Sequence, residues 1–156
     1  MARLAAKGIE VYLPKGWEGR IFQREPTEGG QTYSVAHFAT FPLPADVADF
    51  GGGLPATMGP DDIFAVLFEY GPESLGTALF ARNGMPRDLK PDQFRTYTLR
   101  RGVGGQSGTQ WFFTEQRRTW TLYVVLGSHA RRQALVPRVN LLLNQITVLP
   151  TAAVPA

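Results

Sequence analysis

The chain of 156 residues contains no cysteine. That excludes disulfides, thiolate catalysis and any zinc centre built on cysteine. Histidine is almost as scarce, since His37 and His129 are the only two. A zinc site would need both of them plus carboxylates from distant positions, so neither a metal nor a cofactor is expected. No uninterrupted apolar run approaches the roughly 20 residues that span a bilayer, and no membrane insertion is expected. The stretch from Met1 to Glu10 holds no apolar core of signal-peptide length, so the expected location is cytoplasmic. Acidic residues nearly vanish from the C-terminal part: residues 94–156 carry 8 Arg and one Glu, Glu115 (net +7), whereas residues 1–93 carry 8 Lys+Arg and 12 Asp+Glu (net −4). The sum is the overall +3. Arginine exceeds lysine 13 to 3 throughout the chain, a bias that codon usage in a GC-rich genome explains without a selected surface.

What is present describes an ordinary globular protein, with 44% apolar and 19% charged residues. A chain of this length buries about two thirds of its unfolded surface and fits one domain. We expect a single α+β domain over residues 1–150 and a frayed tail of small residues over 151–156.

Ile9, Val11 and Leu13 alternate with Glu10 and Tyr12, the period of a half-buried strand. Pro14-Lys15-Gly16 ends it. Trp17 to Gln23 reads as a second strand with Gly19 at a bulge or close approach, and Tyr33 to Phe38 as a third, which together imply an antiparallel meander. Residues 41–62 differ: Pro42, Pro44, Gly51-Gly52-Gly53, Pro55, Gly59 and Pro60 oppose regular structure over about twenty residues, a length at which loops are usually functional. Asp46, Asp49, Phe50, Leu54 and Met58 give this loop acidic groups and apolar anchors. Ile63 to Tyr70 is a short, continuous apolar run, the pattern of a central strand buried on both faces, with a short helix capped by Asp61 as the competing reading. Gly76 to Ala81 and Phe94 to Arg101 read as further strands, the latter at an edge.

Gly108 to Leu149 organises the remainder. A turn centred on Gln116-Arg117 pairs Phe113 with Trp120 and Trp111 with Leu122. One face of the hairpin then carries Trp111, Phe113, Trp120, Leu122, Val124 and Leu126. The other carries Phe112, Thr114, Thr119, Thr121, Tyr123 and Val125, too dry for a solvated face, so a second layer should cover it. Leu135, Val139, Leu142 and Ile146 follow at helical spacing, with Pro137 expected in the first turn, where no backbone donor is lost. Thr147-Val148-Leu149 suits a last strand. The predicted architecture is α+β: a twisted, mainly antiparallel sheet of about six to eight strands with a C-terminal helix packed on one face.

Catalytic patterns are missing. Gly102 to Gly108 has the glycines of a phosphate-cradling loop but leads into a strand and lacks the Gly-Lys-Ser/Thr that such loops need. No Gly-x-Ser-x-Gly elbow supports pairing His37 or His129 with Ser107 or Ser128. His129, at the helix entrance, suits a capping or hydrogen-bonding role. Asp61, Asp62, Glu69 and Glu73 fit no calcium loop and are expected to face water. Arg100-Arg101, Arg117-Arg118 and Arg131-Arg132 are three basic pairs at turns, which at one end of the sheet would form a patch for phosphates or for an acidic protein.

Residues 9–22 and 108–149 resemble the PsbP-like family. The resemblance rests on Ile9-Glu10-Val11-Tyr12-Leu13-Pro14-Lys15-Gly16-Trp17, on Trp120-Thr121-Leu122-Tyr123-Val124-Val125 and on the helix end Asn140-Leu141-Leu142-Leu143-Asn144-Gln145-Ile146. It implies an α/β/α-sandwich-like fold around an antiparallel sheet, and members that bind proteins instead of catalysing reactions. The whole chain is also similar to proteins of high-GC actinobacteria, which implies no function. The expected function is a non-enzymatic protein-interaction or accessory module, acting with a protein partner or as a homo-oligomer. Polyanion or nucleic-acid binding by the arginines is one alternative. A small-ligand or enzyme site using His37 or His129 is the other.

Overall fold

The computed structural model describes residues 1–23, 33–45, 48–100 and 103–150. Among the described residues, eight strands form two antiparallel sheets. The larger has five strands in the order β3-β4-β5-β7-β6: β3 (Glu18–Gln23), β4 (Ser34–Ala39), β5 (Ile63–Glu69), β7 (Arg118–Leu126) and β6 (Ser107–Glu115). The smaller is β1 (Ala2–Ala6), β2 (Ile9–Leu13) and β8 (Ile146–Val148), in the order β1-β2-β8. One helix, α1 (Arg132–Leu143), lies between β7 and β8 in the chain. The chain is thus α+β, with a C-terminal helix packed on one face of a mainly antiparallel sheet.

The apolar run from Ile63 folds as a central strand because it has neighbours on both edges and both faces. Its residues alternate between two cores, as the two-residue repeat of a strand requires. Ile63, Ala65 and Leu67 join Phe113, Trp120, Leu122, Val124 and Leu126, against Leu135, Val139 and Leu142 of α1 and Ile9, Val11, Ile146 and Val148 of the small sheet. Phe64, Val66 and Phe68 face the other way with Val35, Tyr123 and Val125, under a cover of coil and short 3-10 turns that includes Leu54, Phe50 and Met58. The hairpin has the register read from the sequence, Phe113 opposite Trp120 and Trp111 opposite Leu122. Gln116 and Arg117 take positive φ (53° and 57°), the backbone of a two-residue turn that matches strand twist.

Several expectations fail for identifiable reasons. The first three predicted strands form no single meander. β2 pairs with β1 and β8, while β3 pairs with β4. Pro14-Lys15-Gly16 turns the chain from one sheet to the other, and Gly19 is where the sheets meet: a Cβ there would stand 3.1 Å from Leu4, Leu13 and Phe38. Gly19 marks a close approach. β1 went unread because Ala2–Ala6 offers little apolar alternation.

Gly76 to Ala81 is a succession of turns, not a strand. The Thr77 hydroxyl and N–H both donate to the Ser74 carbonyl, at 2.6 and 3.2 Å, and Phe80 turns inward against Tyr70 and Phe112. The edge strand expected over Phe94 to Arg101 shrinks, over its described residues 94–100, to one bridge, Arg95 with Gly108. Phe94 is drawn into the helix-side core, the Thr98 N–H bonds back to the Arg95 carbonyl at 3.4 Å, and the Arg100 N–H donates to the Tyr123 hydroxyl at 2.8 Å. These bonds replace a ladder. Pro137 sits inside α1, not in its first turn, because the helix begins at Arg132. The residue four earlier, Gln133, is exposed as Pro137 is, so the carbonyl left without an N–H faces water. Ile146 lies in β8, beyond the helix. Asp62 is no mere solvated carboxylate either: it accepts from the Thr40 hydroxyl (3.1 Å) and the Gly59 N–H (2.8 Å) and so shapes the entry to β5.

Arg118 clasps the two sheets together. Its guanidinium makes a two-pronged contact with Glu69 on β5 (2.8 and 3.1 Å) and lies 4.5 Å from the centre of the Trp120 ring. It also donates to the carbonyls of Lys7, Gly8 and Leu149 at 3.3–3.4 Å. Both charged side chains are only 13–14% exposed. Removing one member strands the other in a dry site, which costs more than a surface pair ever contributes. Arg118→Ala should therefore lower unfolding free energy by about 3 kcal/mol, read from urea denaturation. Arg3→Ala, which breaks the surface contact with Glu10, should change the midpoint far less.

Candidate functional site

Of the residues singled out from the sequence, the long loop and one arginine of the pairs, Arg100, meet at one place. The loop crosses the helix-free face of the large sheet and is pinned from below by His37 on β4. The His37 ring, 1% exposed, donates from Nε2 to the Asp49 carbonyl at 2.7 Å and packs edge-on to Phe22 and Phe64. Burial pushes the His37 pKa below its usual value, and Arg20 opposite it on β3 pushes the same way. The Asp49 carbonyl and charge oppose the shift.

Next along the loop, Gly51 has φ +95°, and a Cβ there would meet the Phe64 ring at 2.5 Å. The backbone can lie this close to the sheet only with glycine. Phe50 then reaches over the sheet to stack on Phe68, with ring centres 4.8 Å apart, and stands edge-on to Tyr123 at 6.0 Å. The Arg100 guanidinium lies 3.7 Å from the centre of Phe50. A stacked ring occupies one face of Phe50, so Arg100 must cover the other. Around this sandwich opens a cleft of about 380 Å³ lined by Asp49, Phe50, Gly52, Pro55, Arg100 and Tyr123.

Arg100 is exposed, and no carboxylate lies within ion-pair distance of it among the described residues. The Tyr123 hydroxyl accepts the Arg100 backbone N–H. No acceptor for the hydroxyl's own proton is found among the described residues. Burial raises the Tyr123 pKa, while the Arg100 N–H and charge pull it back, so near neutral pH the hydroxyl keeps a proton to donate. The Gln106 side chain donates to the Pro55 carbonyl at 2.7 Å and props up the far wall, leaving its own oxygen buried without a partner.

The other candidates are distributed as follows. Asp46 and Arg101 lie outside the described residues. Leu54 is buried and Met58 half-buried, both against the sheet. Arg117 is exposed at the β6–β7 turn, beside the clasp residue Arg118. Arg131 pairs with Asp61, and Arg132 donates to the His129 carbonyl at 2.9 Å. The arginine pairs do not share one end of the sheet. Arg117 precedes β7 and Arg118 is the first of its nine residues, whereas Arg131-Arg132 come after its end, and the strand itself spans about 26 Å at some 3.3 Å per residue. His129 has a half-buried ring whose Nδ1 finds no partner. Its backbone carbonyl accepts from Arg132, so it serves the helix entrance through its main chain and not through a side-chain cap. No cluster of three or more metal-ligating side chains occurs among the described residues, and no helix among them is long and apolar enough to cross a membrane.

Sequence reading missed Tyr123 as a site residue, having placed it only on the drier face of the hairpin. The dryness was itself a signal that something covers that face. Comparisons of the chain with protein-family models, with curated proteins and with solved structures find no match.

The His37 latch makes a pH prediction. Its folded pKa is lowered, so the unfolded chain binds the proton more readily. The latch stabilises fully above the unfolded value of about 6.5 and loses stability as pH falls from there toward the folded value. Urea midpoints should decline from pH 7 to pH 5, and His37→Gln, which keeps a donor for the Asp49 carbonyl without a titrating ring, should show a shallower decline. Parallel slopes for the two proteins would contradict this account.

Proposed function

We propose that this chain is a non-enzymatic binding module that engages another protein, or a second copy of itself, through the cleft where the long loop meets Arg100. One observation carries this reading: Arg100 is exposed, seated on an aromatic platform and unpaired with any carboxylate among the described residues. An arginine held flat on an aromatic ring gives up little conformational freedom when it binds, and arginine with tyrosine is enriched where binding energy concentrates. The cleft has a built floor, since Phe50 rests on Phe68 and Asp49 is latched to His37. The PsbP-like resemblance, which implies protein-binding members, points the same way.

The geometry lends less support to the alternatives. A polyanion needs cations along one track, whereas these arginines sit at opposite ends of β7, and three of the described ones are engaged with Glu69, Asp61 and a backbone carbonyl. Neither histidine lines the cleft. His37 acts as a structural latch beneath the loop, a poor position for acid–base chemistry.

Pull-down combined with size-exclusion chromatography and light scattering tests the proposal. Arg100→Ser should abolish partner capture or self-association, while Arg117→Ser, at the far end of the sheet, should leave it intact. A strict monomer that captures nothing, or capture indifferent to Arg100, overturns it.

A further inference from the structure

We infer that the cleft recognises a carboxylate, the acidic side chain or terminal carboxyl group of an extended partner segment, held between the Arg100 guanidinium and the Tyr123 hydroxyl. This rests on the reading of the cleft as a binding site and names the chemistry that would occupy it.

The argument begins with unused donors. The Arg100 guanidinium carbon lies 3.7 Å from the centre of the Phe50 ring, and its N–H groups make no side-chain hydrogen bond or ion pair among the described residues. Tyr123, on the same cleft wall, has its oxygen committed as acceptor to the Arg100 N–H and its proton uncommitted among the described residues. Both groups can therefore donate and neither is placed to accept, so the complementary ligand atom is an oxygen that only accepts.

Charge and shape narrow the class. A planar carboxylate matches the fork of a guanidinium edge, and its apolar stem would lie along Pro55 and Phe50. Asp49 also lines the cleft, so one negative charge stands in it beyond ion-pair distance of Arg100. A monoanion is accommodated there, while a phosphate dianion meets one cation and one opposing carboxylate. The local balance thus favours carboxylate over phosphate, although the C-terminal part of the chain is strongly basic.

The site also requires order. Gly51 permits the close backbone approach that positions Phe50, and His37 fixes the carbonyl before it. The platform exists before a ligand arrives, so little ordering cost is added on binding.

The experiment is a nuclear magnetic resonance titration of the whole chain with three probes: Ac-Gly-Glu-Gly-NH₂, the isosteric Ac-Gly-Gln-Gly-NH₂, and acetate. Inorganic phosphate at matched ionic strength serves as competitor. The Glu peptide should shift the Arg100 Nε–H and backbone N–H saturably, with the Gln peptide roughly tenfold weaker, as expected for loss of a charge-assisted pair. Read at the Gly52 backbone N–H, which lines the same cleft, Arg100→Gln should abolish the response, and Tyr123→Phe should weaken it while leaving the sheet resonances in place. Acetate binding as tightly as the peptide would assign the site to small free carboxylates; a stronger peptide response would assign it to a partner segment. Both outcomes support carboxylate recognition. Equal response to Glu and Gln peptides, tighter binding of phosphate, or no response to any probe overturns it. Partner capture that depends on Arg100 in the pull-down would then keep the binding module and discard only the ligand class.

Discussion

Everything in this fold follows from a strand that is dry on both sides. From Ile63 to Phe68 no residue of β5 reaches solvent appreciably, so each face of the sheet must be covered, and burial of each large side chain contributes about 1.5–3 kcal/mol. The two covers differ in kind. On one face the last helix and a three-stranded sheet supply regular structure, and Arg118 fastens it. On the other a proline- and glycine-rich loop lays isolated anchors onto an aromatic layer running from Phe22 and His37 through Phe64 to Phe68, Tyr70, Phe80 and Phe112. A helix covers with a continuous stripe, whereas a loop covers residue by residue and leaves gaps. The cleft at Arg100 is one such gap, which places it on the side where the cover is irregular.

How much was legible beforehand divides along the same line. The two-residue period of Ile9-Val11-Leu13 and of the hairpin, the dry run from Ile63 and the spacing of Leu135, Val139 and Leu142 are local signals of burial, and local signals survive in the sequence. Pairing between sheets does not. Nothing at Pro14-Lys15-Gly16 says that the chain leaves one sheet for another, and Ala2–Ala6, with three alanines around Arg3 and Leu4, has too little apolar alternation to declare a strand. The turns at Ser74–Thr77 and Arg95–Thr98 imitate strand alternation because the residues that favour strands, Thr and Phe, also serve in turns when a hydroxyl or a distant core captures them.

The site was half visible. Phe50 and Arg100 could be named separately, one as a loop anchor and one as part of a basic pair, because each stood out in its own neighbourhood. Their contact spans fifty residues and depends on Gly51 lying against Phe64 and on a histidine latch that no spacing reveals. The same distance problem misgrouped the arginines. Doublets that look equivalent as text serve as a clasp, a helix-entrance contact and a free cation once the fold assigns their neighbours.

The clasp at Arg118 has a further consequence, which concerns time. The carbonyls it holds belong to Lys7, Gly8 and Leu149, and β2 finds its second neighbour only in β8. During synthesis β1 and β2 therefore emerge first and wait, with one flank open, until residue 148 has been made. The large sheet, its loop cover and α1 can assemble in the meantime. Loop closure over so long a separation is slow and entropically opposed, so β2 is among the last strands to be secured.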